Sequence, residues 1–101
     1  MAAQEPECTL DEKAVQTIAR ALADPRRYAI LKQLACKQTV TTACSQVREC
    51  VEISPATLSH HMRELRLAGL VHEVREGRFV SYELCRDVLE SFAKRISHDL
   101  L

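Results

Sequence analysis

Near residue 70 the spacing of apolar residues changes from about four to two, and that change limits what the chain can fold into. Upstream, Leu58, Met62, Leu65 and Ala68 fall at i, i+4, i+7 and i+10, the buried stripe of a helix. Gly69 follows where a left-handed C-terminal cap is wanted. Downstream, "LVHEV" and "RFVSYEL" alternate on either side of Arg75, Glu76 and Gly77. They predict a hairpin with a three-residue loop and Gly77 in the left-handed position. That loop aligns Val74 with Arg78, His72 with Val80 and Leu70 with Tyr82, leaving Leu70, Val74, Val80, Tyr82 and Leu84 on one face.

The remainder reads as helix, because two glycines and three prolines leave few turns. Thr9 and Glu12 have capping-box spacing, and Leu10, Ala14, Ile18 and Leu22 recur behind them, predicting a helix over about 10–22. Asp24–Pro25 opens a second helix whose stripe is Tyr28, Leu31, Leu34 and Ala35. "CKQTVTT" interrupts, and Thr41 or Thr42 is placed to cap a short third helix at 43–50. Ile53–Ser54–Pro55 marks the start of the fourth, at 55–68. Asp87 with Glu90 caps a last helix striped by Leu89, Phe92, Ile96 and Leu100. Residues 1–8 are small and acidic and read as a disordered tail, leaving 9–101 as a single domain. The order α-α-α-α-β-β-α, mainly α with one hairpin (α+β), describes a winged helix-turn-helix.

Net charge is zero, so gross charge does not point to nucleic acid, yet residues 25–48 carry Arg26, Arg27, Lys32, Lys37 and Arg48 with no acid. No apolar run approaches the roughly 18–20 residues that a bilayer requires. Five cysteines, an odd number without a signal peptide ahead of them, point to free thiols in a reducing cytoplasm.

The functional question centres on "SPATLSHHMRELRLAGLV". With Leu58, Met62, Leu65 and Ala68 turned inward, Thr57, His60 and Arg63 project the other way and Ser59 lies at the flank. The helix N-terminus suits a phosphate, and short hydroxyls with an imidazole can approach base edges in a major groove. His61 borders the buried stripe, where its expected role is a hydrogen bond that fixes the helix-turn-helix. The adjacent histidines diverge on a helix and do not suit one metal ion. No nucleophile–base–carboxylate set accompanies them, so no enzyme is expected. Arg75 and Arg78 give the hairpin a basic tip, while Arg26 and Arg27 could reach phosphates or face solvent.

"LADPRRYAILKQLA", "ISPATLSHHMRELRLAGLV" and "VREGRFVSYEL" together resemble the ArsR/SmtB-type transcriptional repressors, over about residues 15–95. The resemblance implies a homodimer joined through the first and last helices. It also implies repression of its own or a neighbouring operon, released by an inducer. Base reading would fall to Ser54, Ala56, Thr57, Ser59, His60 and Arg63, with Arg75 and Arg78 of the wing on the flanking backbone or minor groove. The partner is then double-stranded operator DNA. A winged-helix protein-interaction module is the alternative, and it would carry apolar residues where Thr57, Ser59, His60 and Arg63 stand.

The inducer is not legible. Some relatives bind soft metals through a C-x-C pair at the third helix, whereas Cys44 and Cys50 here are six residues apart. On one helix those thiols point about 120° apart and about 9 Å along the axis, so they cannot chelate one ion. A last-helix site would use Asp87 and His98, but Leu89 and Leu100 stand where it wants imidazoles. A redox pair of the family type would draw on Cys36 and Cys85, neither at the usual position. Cys36, Cys50 and Cys85 are therefore read as small buried hydrophobes. Cys44 and Cys8 are the thiol-sensor candidates, and no metal or cofactor is assigned.

Overall fold

A computed structural model of the chain describes residues 10–36 and 41–101, so the tail, Thr9, Cys8 and Lys37 lie outside the described residues. Five helices and three strands follow in the order α1 (Glu12–Leu22), α2 (Pro25–Cys36), β1 (Thr41–Ala43), α3 (Cys44–Val51), α4 (Pro55–Leu67), β2 (Val71–Glu76), β3 (Phe79–Leu84) and α5 (Arg86–Leu100). The expected winged helix-turn-helix order is present, with β1 added between the second and third helices.

The helix ends are set by local chemistry. Asp11 caps α1 by accepting from the Ala14 N–H, and the Thr9–Glu12 box expected there rests on Thr9, outside the described residues. Asp24 accepts from the backbone N–H groups of Arg26 and Arg27, fixing the start of α2 as its place before Pro25 requires. Ser54 caps α4 through the Thr57 N–H, with Pro55 in the first turn. Ile53 before that cap and Leu58 inside the helix stand at staple spacing, Leu58 within the core and Ile53 packed half-buried against it. Gly69, at φ +78°, ends α4. Its N–H donates to the Arg66 carbonyl and that of Leu70 to Leu65, the paired bonds of a Schellman cap. Two capping expectations do not hold. Thr41 and Thr42 lie in β1, and α3 starts at Ala43 without a side-chain cap. Likewise Cys85, not an Asp87–Glu90 pair, precedes α5, and no side chain caps it.

The sheet has the order β1-β3-β2, antiparallel throughout. Glu76 pairs with Phe79, so the hairpin turns on Gly77 and Arg78 alone rather than on three residues. Gly77 has φ +63° and Arg78 is not in the positive-φ region. That is the type II′ pattern, whose twist suits the strands it joins. The register is correspondingly Val74 with Ser81, His72 with Glu83 and Glu73 with Tyr82. Val80, Tyr82 and Leu84 therefore share a face with Val71, while Val74 turns to the opposite one.

The core gathers Ile18 and Ala21 of α1, Ile30, Leu31 and Leu34 of α2, Val47 of α3, Leu58, Met62 and Leu65 of α4, and Leu70, Val71 and Tyr82 of the wing. In α2 the expected stripe is rotated: Tyr28 and Ala35 are exposed and Ile30 is buried completely. Helix α5 contributes no buried residue. Its Val88, Leu89 and Phe92 pack half-buried against that core, and it is fastened further by Arg86, which donates to the Ala35 carbonyl, and by Arg95, which donates to the Leu10 carbonyl and the Glu12 carboxylate. Among the described residues no helix is long and apolar enough to cross a membrane.

Candidate nucleic-acid interface

Helix α4 buries Leu58, His61, Met62 and Leu65 on one side. Its other side presents Ala56, Ser59, His60 and Arg63, all exposed, in one stripe at helical spacing. Ser54 and the half-buried Thr57 stand at the start of this surface. The Ser54 hydroxyl donates to the Thr57 hydroxyl at 2.9 Å. Thr57 therefore keeps its own O–H to donate outward. Four of the six residues expected on the recognition surface thus share one side of α4, with Ser54 and Thr57 at its N-terminal end.

His61 turns inward and is held. Its Nδ1 lies 3.4 Å from the Arg27 guanidinium, whose Nε donates to the Ala21 carbonyl at 2.9 Å and whose Nη2 donates to that of Arg20 at 3.3 Å. A guanidinium only donates, so Nδ1 accepts and the ring proton sits on Nε2. Arg27 therefore clamps the end of α1 to α4 instead of reaching for phosphate. Burial lowers the proton affinity of His61; Asp24 opposes that and Arg27 adds to it, with a net shift downward. Burial alone would raise the Asp24 carboxyl, but the N–H groups of Arg27 and Arg26 outweigh it and leave the group below its usual range. The His60 ring stands 5.5 Å away, tilted 56° to that of His61, with His60 exposed and His61 buried.

In the wing, Arg78 occupies the turn and is exposed. Arg75 lies one pair further down the hairpin, opposite Val80, with its Nε 2.5 Å from the Glu73 carboxylate. Arg66, near the end of α4, points its Nε at the other Glu73 oxygen, 3.6 Å away. Glu73 and Arg66 drew no attention in the sequence. The three-residue loop read from the sequence turns Glu73 away from Tyr82, so no signal within the segment marked the pair.

The cysteines are less buried than expected. Cys36 and Cys50 are exposed, which contradicts their reading as core residues, and Cys44 and Cys85 are half-buried. Cys44 and Cys50 do share the single helix α3, the arrangement in which their thiols diverge. Burial, then the nearby acids Asp87 and Glu83, push the Cys85 thiol up, which suppresses its thiolate. The Tyr82 phenol is pushed up to about 12, first by burial and then by Cys44 and Glu73. Among the described residues no three His, Cys, Asp or Glu side chains gather as a metal site.

Known proteins share this arrangement. A family model described as a helix-turn-helix domain matches residues 22–74. The chain is 36% identical over 78 residues to the arsenical resistance operon repressor of Staphylococcus xylosus, covering 77% of this chain and 72% of that protein. It is 33% identical over 76 residues to the transcriptional repressor SdpR of Bacillus subtilis, covering 75% and 81%. Among solved structures, it is similar to a homodimeric winged helix-turn-helix DNA-binding domain from Mycobacterium bovis, described as a possible ArsR-family regulator. That match has a TM-score of 0.72 and 29% identity, over 98% of this chain and 91% of the other.

Proposed function

The chain belongs to the ArsR/SmtB-type family of winged helix-turn-helix transcriptional regulators, and on that premise we propose which of its residues meet DNA. It is a DNA-binding repressor, not an enzyme. Ser54, Ala56, Thr57, Ser59, His60 and Arg63 enter the major groove and read base edges, while Arg75 and Arg78 of the wing hold the backbone beside it. One observation carries this reading: the N-terminal turns of the exposed side of α4 present Ser59, His60 and Arg63, polar or basic where an interaction module would be apolar. The exposed Leu67 stands only at the far end of that stripe.

The protein acts as a homodimer, with residues 9–101 as one DNA-binding and dimerisation domain. Helix α5 supports this, since Leu89, Phe92 and Ile96 are only half-buried and Leu100 is 73% exposed in one chain. A second copy of α1 and α5 would cover that stripe and carry the two α4 helices to successive major grooves, about 34 Å apart. The cytoplasm, where operator DNA lies, is its compartment on this reading. Cys44 remains the thiol-sensor candidate among the described residues, and no metal or cofactor is assigned.

The test is a titration of the purified dimer on duplex DNA from upstream of its own gene, over graded salt. Retention that weakens steeply with salt is expected; a monomer, or attachment indifferent to salt, overturns the reading. Repeating it with arsenite, Zn(II), Cu(I), peroxide and reductant tests the sensor. Unchanged binding in all five discards the thiol sensor and leaves the repressor standing.

A further inference from the structure

The wing carries a charge cluster that DNA reading alone does not explain. Glu73 is an acid on the inward face of the hairpin, cross-strand from Tyr82 and flanked along β2 by buried Val71 and by Arg75. Its side chain is only 17% exposed. One oxygen accepts from the Arg75 Nε at 2.5 Å and the other lies 3.6 Å from the Arg66 Nε. A single carboxylate thus spans two guanidiniums, one from the recognition helix and one from the wing, at the edge of an open hollow lined by Arg66, Val71, His72 and Glu73.

A carboxylate and a phosphodiester each offer a guanidinium two anionic oxygens, so the same donors can serve either. Glu73 therefore fills the place that a duplex backbone would take against Arg75 and Arg66. Both arginines keep much of their surface in solvent, with side chains 69% and 44% exposed. Ion pairs with so exposed a partner are weak, so a phosphate strand brought against the wing can displace the carboxylate. Resting on the DNA-binding reading above, we propose that Glu73 is an internal stand-in for phosphate: it holds Arg66 and Arg75 in the free protein and yields them to the DNA backbone. Its consequence is tempered affinity for duplex of any sequence, which matters because unrelated sites vastly outnumber an operator.

The experiment compares the full-length chain with Glu73→Gln on a duplex of unrelated sequence, by fluorescence anisotropy across a salt series. The variant should bind severalfold more tightly at each salt concentration, with a salt slope close to the native one, because both complexes make the same phosphate contacts through Arg66 and Arg75. Adding Arg75→Ala to that variant should cancel much of the gain and flatten the slope by about one. Weaker or unchanged binding by Glu73→Gln, or a gain that persists in full when Arg75→Ala is added, overturns the proposal and leaves Glu73 as a fastening between α4 and β2. Native protein supplies a second readout that does not depend on the variant folding. The Arg66 and Arg75 Nε–H signals in an NMR spectrum should move when the duplex is added, and static signals overturn the proposal. If the native chain shows no salt-dependent attachment at all, the DNA-binding reading falls and takes this proposal with it.

Discussion

At neutral pH the imidazole of His61 is uncharged, because burial disfavours its proton and Asp24 offsets that only in part. The unfolded chain has no such burial, so its imidazole takes up a proton that the folded one refuses. Stability therefore rises with pH through this window, is complete above the ordinary value of 6.5, and is lost as pH falls from there toward the lower folded value. Melting temperatures measured between about pH 7.5 and about pH 5 should decline, and His61→Gln should remove part of that decline. An identical decline in the variant would detach the histidine from the effect. Its neighbour His60 carries the opposite assignment. His60→Ala should narrow the preference between operator and unrelated duplex, by roughly 1–3 kcal/mol. Arg78→Ala should weaken both complexes alike and flatten the salt slope by about one. Competition binding at several salt concentrations separates them, and the reverse pattern would exchange their roles. The inward turn of His61 was readable from its position beside Leu58 and Leu65; its partner Arg27, far away in sequence, was not.

Among the elements, α4 owes its boundaries to local chemistry and the hairpin owes its register to its turn. Ser54→Ala removes the acceptor for the Thr57 N–H and should destabilise the protein by about 1 kcal/mol, read by thermal or denaturant melts. A Cβ on Gly77 would meet no atom within 4 Å, so Gly77→Ala suffers from its φ of +63° alone, by roughly 1–2 kcal/mol. Circular dichroism melts of that variant check the figure, and an undiminished midpoint would show that the turn tolerates an L-residue. Reading three loop residues instead of two displaced the pairing by an odd number and sent Val74 to the wrong face. Strand β1 was missed for a related reason: Thr41–Ala43 is a strand because it lies against β3, and its own residues equally suit a helix cap. The stripe of α2 was misplaced because Tyr28 looks like a core residue, yet it is 52% exposed and stands 5.9 Å beneath the Lys32 ammonium.

For the molecule as a whole, the unsatisfied surface is α5. It adds no buried residue to a core that the other helices and the wing complete. Phe92→Glu should accordingly leave each chain folded while separating the dimer, since Phe92 is half-buried at the edge of that core. Sedimentation should then report a monomer, and operator affinity should fall by orders of magnitude because two half-sites no longer act together. A variant that stays dimeric would move the two-fold interface away from α5.

What the residues determined unaided was the succession of elements and the chemistry of the α4 surface. Helical spacing, proline and glycine placement and the caps at Asp24 and Ser54 act over a few positions, so they are written where they operate. Tertiary structure decided what depends on partners distant in the chain: the pairing of β1, the register of the wing, the clamp of Arg27 on His61, and the capture of Arg66 and Arg75 by Glu73. Such contacts follow from how helices and strands pack together, and no spacing within one segment encodes them.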